Sequence, residues 1–154
     1  MSQTYYADSS ALVKRHISES GSAWIEREFD AARGNKIVTT KLSVAEVLSA
    51  MNRRRREANI TATEYAKFSG DFLAFVAAEY EMVELSDTVF LEAQRLLETY
   101  PLRASDAIQL ASALLANAQL QSANLPALIF LASDARLLTA ANSEGLLTDD
   151  PQNH

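Results

Sequence analysis

The feature that most restricts this chain is an alternation of short β-forming runs with longer helical stretches. The β-like runs are Thr4–Ala7 (TYYA), Lys36–Thr40 (KIVTT), Met82–Leu85 (MVEL) and Ala127–Ala132 (ALIFLA), with Leu146–Thr148 as a short edge strand. Between them, Ser22–Arg33 reads as a helix that Gly34-Asn35 terminates. Val44, Val47, Leu48 and Met51 recur at i, i+3, i+4 and i+7, the spacing of an amphipathic helix. Thr61 and Glu64 form a capping-box pattern opening a helix whose apolar stripe is Phe68, Phe72, Phe75 and Val76. Ser86 opens a further helix that Pro101 stops, another runs over Ser105–Gln121, and a last one over Asp134–Asn142. Strands separated by helices are joined by crossovers, and crossovers make parallel pairs. The expected fold is therefore α/β, a three-layer sandwich with a central parallel sheet flanked by helices.

Chain length allows one domain, assigned to residues 1–148, with 149–154 as a short C-terminal tail. Four Gly and three Pro are too few for a long linker. The absence of cysteine removes disulfides, thiolate zinc sites and a Cys nucleophile together. The first residues carry no basic stretch followed by an apolar one, and no segment reaches the roughly 20 apolar residues of a membrane span. A soluble, cytoplasmic protein is expected. A net charge of −6 argues against binding nucleic acid by bulk attraction, but leaves room for a local basic patch and recruited cations.

Four acids stand out, although each has an ordinary structural explanation. Asp8 ends the first strand and can cap the helix that follows. Ser43-x-x-Glu46 is itself a capping-box pattern. Asp106 falls in a first helical turn, where the helix dipole favours an acid. Asp134 can cap the last helix, in competition with Ser133. Their joint placement carries more information. All four lie at ends of strands or starts of helices that face the carboxyl edge of a parallel sheet, where ligands bind in open α/β folds. Gathered carboxylates oppose one another's ionisation, and divalent cations relieve that repulsion. An all-oxygen set suits Mg²⁺ or Mn²⁺. Paired ions about 3.5–4 Å apart are a recurring device for in-line phosphodiester displacement.

These residues, in this order, resemble the PIN-domain family. The segments are YADSSALVKRH with Asp8, KLSVAEVLSAM with Glu46, LRASDAIQLASA with Asp106 and FLASDARLL with Asp134. The likeness is strongest to the VapC-like toxins of toxin–antitoxin pairs. It implies a Mg²⁺- or Mn²⁺-dependent endoribonuclease acting on an RNA substrate, usually a homodimer, and restrained by a cognate antitoxin. It also implies that Asp8, Asp106 and Asp134 hold metal or metal-bound water, with Glu46 completing the set. Ser10 and Ser133 would orient the carboxylates by hydrogen bonds. Apart from the resemblance, Lys14, soon after Asp8, stands within reach of a substrate phosphate, or is simply solvated as a lone Lys on a short helix. The segment from Asn117 to Leu125 is longer than in compact members, and Thr148-Asp149-Asp150 adds acids for which a solvated end is the simplest reading.

Other features fit less specific roles. Arg53–Arg56 closes a helix, either as a solvated turn favoured by the dipole or as an RNA or antitoxin contact. A Ser-His-Asp triad would have to use His16, without a supporting G-x-S-x-G turn. The Phe68, Phe72 and Phe75 stripe is core, or a partner groove where exposed. Two alternatives to a nuclease are a receiver-like domain phosphorylated on a strand-end Asp, and a non-catalytic α/β binding module. Against the first, Asp8 has no adjacent acidic partner and no Lys ends the ALIFLA strand.

Overall fold

The computed structural model describes Met1–His154. Five strands form one sheet: β1 (Thr4–Ala7), β2 (Lys36–Thr40), β3 (Tyr80–Val83), β4 (Ile129–Leu131) and β5 (Leu147–Asp149). Their order across the sheet is β3-β2-β1-β4-β5, and every neighbouring pair is parallel. Seven helices connect and cover them: α1 (Ser9–Val13), α2 (Ser22–Glu28), α3 (Lys41–Arg56), α4 (Ala62–Glu79), α5 (Asp87–Thr99), α6 (Ala104–Ser122) and α7 (Ala135–Ser143).

The two-residue period of a strand divides the core into two layers. Tyr6, Val38 and Phe130 point to one face, where they pack against Val89, Leu96 and Leu110 from α5 and α6, together with Leu137 from α7. Tyr5, Ala7, Ile37 and Leu131 point to the other, against Leu12, Ile25, Val47 and Phe72 from α1 to α4. Tyr6 stacks on Phe130 across β1 and β4, with ring centroids 5.5 Å apart. Burying each large apolar side chain of this kind contributes about 1.5–3 kcal/mol. The expected three-layer α/β sandwich is thus the observed one.

Strand order matters for the site. From β1 the chain moves to β2 and β3 on one side, then returns to β4 and β5 on the other. The carboxyl ends of β1 and β4 consequently flank a topological switch point, the place where open parallel sheets leave a crevice.

Three local expectations are corrected. The helix expected over Ser22–Arg33 stops at Glu28, because Asp30 accepts from the Ala32 N–H and opens a separate 3-10 helix at Ala31–Arg33. The third strand lies two residues earlier than expected, since α4 runs to Glu79 and Tyr80 pairs directly with Ile37. The tail is no solvated end. Asp149 belongs to β5, Pro151 is buried, and His154 stacks on Trp24 with centroids 4.4 Å apart. Gly21 makes that packing possible: its φ is +90°, and a Cβ there would lie 2.5 Å from the Pro151 carbonyl oxygen. No helix is long and apolar enough to cross a membrane.

Candidate active site

Asp8 sits where β1 ends and α1 begins. Its backbone N–H donates to the Leu131 carbonyl at 3.2 Å, fixing the exit of β1 against β4. Its carboxylate is the N-cap of α1, so the ordinary reading of this residue is realised. Yet both hydrogen bonds fall on Oδ1, from the Ala11 N–H at 3.1 Å and the Ser10 hydroxyl at 2.6 Å. Asp134 repeats the arrangement at the head of α7, where Oδ1 accepts from the N–H groups of Arg136 (2.8 Å) and Leu137 (3.1 Å). In both acids the cap uses one oxygen, and Oδ2 receives no side-chain donor.

Glu46 is placed differently. Thr40, not Ser43, is the N-cap of α3, and it accepts from the Ser43 N–H at 3.3 Å. The capping-box reading of Glu46 therefore fails, and its carboxylate is free to turn inward. Glu46 Oε1 instead accepts from Gln109 Nε2 at 2.8 Å. Gln109 lies one turn beyond Asp106 on the same face of α6, so the two side chains serve one region. Its remaining contacts are buried: the Tyr6 hydroxyl donates to Gln109 Oε1 at 2.7 Å, and Gln109 Nε2 donates to Ser43 Oγ at 2.8 Å. Asp106 occupies the first turn of α6, which begins without a side-chain cap.

Glu46, Asp106, Ser133 and Asp134 line a cleft of about 690 Å³ together with Arg103 and Arg136. Only one of its lining residues is hydrophobic. Asp8 is 7% exposed and does not form part of the wall. The four acids nevertheless feel one another in sequence. Burial pushes Asp8 up to about 6, against the hydrogen bonds from Ser10 and Ala11, and the charge of Glu46 adds to the rise. Burial also raises Glu46, which Gln109 partly counters, and Asp106 raises it further. Asp106 is raised first by burial and then by Asp134, with a backbone bond from Arg103 opposing. Each acid is within electrostatic reach of the next, an arrangement that opposes full ionisation until positive charge arrives.

The donor set fits a divalent cation in kind: carboxylate oxygens only, mutually repelling, beside an open polar cleft. No three of these acids converge closely enough to form a ready-made ligand cage. Waters and substrate oxygens would complete the coordination, as is usual for Mg²⁺, which keeps several non-protein ligands.

Ser10 and Ser133 join the site directly. The Ser133 N–H donates to Ser10 Oγ at 3.1 Å, and that hydroxyl in turn donates to Asp8. Lys14 does not match its expected role as a phosphate contact. Its side chain is 3% exposed and Nζ donates to Glu19 at 2.8 Å, so burial and pairing withdraw it from a substrate. Arg53–Arg56 form the last turn of α3 and do not line the cleft. Two cations were missed from the sequence instead. Arg103 and Arg136 stand on the cleft wall, and neither is held in an ion pair. Their positions, three before Asp106 and two after Asp134, were the available signal. His16 is enclosed edge-on by Phe68, Phe72 and Phe75, and burial holds its imidazole down at about 4. It has no part in a triad.

Residues 5–141 match the family model described as PIN domain. Ribonucleases VapC45 and VapC49 of Mycobacterium tuberculosis are each 33% identical to this chain over 140 residues, 91% of its length and 90% of theirs. The crystal structure of VapBC2 from Rickettsia felis, bound to a DNA fragment from its promoter, has the same fold, with a TM-score of 0.63 at 12% identity. That likeness covers 96% of this chain and 98% of the other. A parallel sheet of this strand order, and a family match that runs from β1 through α7 and includes Asp8, Glu46, Asp106 and Asp134, have one explanation: the chain belongs to the PIN-domain family.

Proposed function

We propose that this protein is a metal-dependent endoribonuclease, the toxin of a toxin–antitoxin pair, with Asp8, Glu46, Asp106 and Asp134 as its acidic site. The observation that carries this reading is the cleft lined by Glu46, Asp106 and Asp134 next to Asp8 at the switch point, which also holds two arginines outside any ion pair. The relatives at 33% identity are named ribonucleases, which favours RNA as the substrate.

Asp8, Asp106 and Asp134 would hold the cation, which we take to be Mg²⁺ or Mn²⁺, with Glu46 as a further ligand or as the acceptor of a bound water. When bound, divalent cations supply charge neutralisation and Lewis acidity for in-line displacement at phosphorus. The rest falls to the chain itself. Ser10 and the α1 backbone clamp Asp8 through Oδ1, which leaves Oδ2 without a side-chain donor. The α7 backbone does the same for Asp134. Gln109 keeps Glu46 directed across α6 instead of into solvent. Arg103 and Arg136 would grip phosphates flanking the scissile one, and these contacts offset the repulsion an acidic protein exerts on RNA.

The partner would be a cognate antitoxin that binds the toxin beside this cleft. A second copy of the chain has a surface available on α5, where Phe90, Leu91 and Leu97 are 49%, 69% and 43% exposed. A receiver-like role finds no support, since the acidic set is spread over four elements and no Lys follows β4.

The test is cleavage of a labelled structured RNA by purified, inhibitor-free protein in Mg²⁺, in Mn²⁺ and in EDTA, alongside Asp8→Asn. Cutting that requires metal and disappears in the variant supports the proposal. Equal cutting in EDTA, or by Asp8→Asn, would overturn it.

A further inference from the structure

The acids of the tail acquire a role from their contacts. Residues 149–154 leave β5 and cross α2, where Pro151 is buried against Gly21. His154 stacks on Trp24, and Asp149 holds the same imidazole through Nε2 at 3.0 Å. With the segment fixed on both sides, Asp150 is fixed too. Its Oδ1 accepts from the Gln152 N–H at 2.9 Å and from the Ser133 hydroxyl at 3.2 Å. Ser133 then donates its N–H to Ser10 Oγ, and Ser10 donates its hydroxyl to Asp8 Oδ1. An unbroken path of hydrogen bonds therefore runs from Asp150 to Asp8.

We propose that Asp150 is a positioning residue of the nuclease, acting through Ser133 and Ser10 to set which oxygen of Asp8 is offered to a divalent cation. The inference rests on the nuclease reading given above. Its logic is the direction of each hydrogen. A serine hydroxyl has one hydrogen to give and lone pairs to receive. Asp150, as an acceptor, draws the Ser133 hydroxyl hydrogen towards the tail, so Ser133 meets Ser10 only through its backbone N–H. That N–H occupies a lone pair of Ser10, and the Ser10 hydrogen is left for Asp8 Oδ1. With Oδ1 engaged by Ser10 and Ala11, Oδ2 is the oxygen without a side-chain donor. Removal of Asp150 frees the Ser133 hydroxyl to rotate into the cleft and compete for the same carboxylates.

The experiment compares wild type, Asp150→Ala, Asp150→Asn, Ser10→Ala and the double variant Ser10→Ala/Asp150→Ala. Mn²⁺ affinity is read from the electron-spin signal of free Mn²⁺, without substrate. Asp150→Ala is expected to weaken binding about tenfold, the lower end of the loss typical when an outer partner of a metal ligand is removed. Asp150→Asn keeps an acceptor oxygen and restores most of the affinity. The double variant binds no more weakly than Ser10→Ala, because residues acting along one path are not additive. In EDTA, exchange of the Ser133 amide hydrogen is faster in both Asp150→Ala and Ser10→Ala than in wild type.

Additive losses, or unchanged Mn²⁺ affinity in a merely less stable Asp150→Ala, would overturn the proposal. An Asp150→Asn variant as weak as Asp150→Ala would overturn it in favour of a direct ligand. Unchanged Ser133 exchange breaks the path whatever the metal result. A wild-type protein that binds no Mn²⁺ removes the nuclease reading itself, and this inference with it.

Discussion

Gln109 donates to Glu46 at 2.8 Å across 63 positions of sequence, and together with its bond to Ser43 this contact joins the heads of α3 and α6 beside the cleft. Its amide also receives the Tyr6 hydroxyl from the central strand. Replacing Gln109 with Leu would leave the Tyr6 hydroxyl and Ser43 without their partner, at a cost of about 1–3 kcal/mol per buried group. Glu46 would lose its orientation as well. RNA cleavage is expected to fall about 10–100-fold in Gln109→Leu, the usual range for an outer partner of a metal-site ligand. Urea denaturation and cleavage rates measured on the same preparation check the two effects. A variant with full activity and lowered stability would confine Gln109 to a packing role.

Asp8 supports a prediction about pH. Its pKa is raised from 3.8 to about 6, chiefly by burial. The native state then binds the proton more tightly than the unfolded chain does. Stability from this group is fully present below pH 4 and is lost as pH rises through about 6. Asp8→Asn keeps an acceptor for the Ala11 N–H and carries no charge. In EDTA at pH 7.5 the variant should be more stable than wild type, by an amount on the order of 1–3 kcal/mol. The advantage should vanish near pH 4. Denaturation curves at pH 7.5, 6, 5 and 4 test this, and an advantage independent of pH would exclude burial of charge as its source.

Arg103 and Arg136 are predicted to act on substrate and not on metal. Each replacement by Ala should raise KM for RNA while leaving Mn²⁺ affinity close to that of wild type. Each should also lower the slope of log affinity against log salt by about one, as expected for loss of one phosphate contact. Binding to a non-cleavable RNA at several salt concentrations measures the slope. An unchanged slope in both variants would move the phosphate contacts elsewhere, with Arg53–Arg56 the next surface to examine.

Gly21→Ala tests the packing of the tail. The residue has a φ of +90°, and the added Cβ would meet the Pro151 carbonyl oxygen at 2.5 Å. Both effects oppose the substitution, and together they should cost more than the roughly 1 kcal/mol of an ordinary Gly-to-Ala conflict. Loss of the Trp24–His154 stack should appear as a change in tryptophan fluorescence. Gly34→Ala has open space at its Cβ, and serves as the control for φ alone.

What the sequence reveals of this protein divides along the range of the interactions involved. The strands Thr4–Ala7 and Lys36–Thr40 are legible to the residue because β-formers there are bounded by a cap and by a Gly-Asn turn. The third strand is displaced in the reading because α4 passes into β3 with no turn residue between Glu79 and Tyr80. The four acids are legible as a set through their stations on the fold, but their individual roles are not. Ser43 and Thr40 both satisfy the local pattern of an N-cap, and only the start of α3 at Lys41 frees Glu46 from the box. The errors over Lys14 and the tail have a common cause. Glu19 and Trp24 decide where those side chains go, and neither partner is marked by any spacing rule.

The one-oxygen caps of Asp8 and Asp134 bear on how such a protein can lose its chemistry over generations. At those two positions the carboxylate starts a helix, so drift to Ala is opposed by folding whatever its part in cleavage. Glu46 opens no helix, and its half-buried carboxylate is held by Gln109. In descendants no longer selected for cleavage, Ala is therefore expected at Glu46 before it appears at Asp8 or Asp134, where Asn, which keeps a capping oxygen, is the replacement folding tolerates.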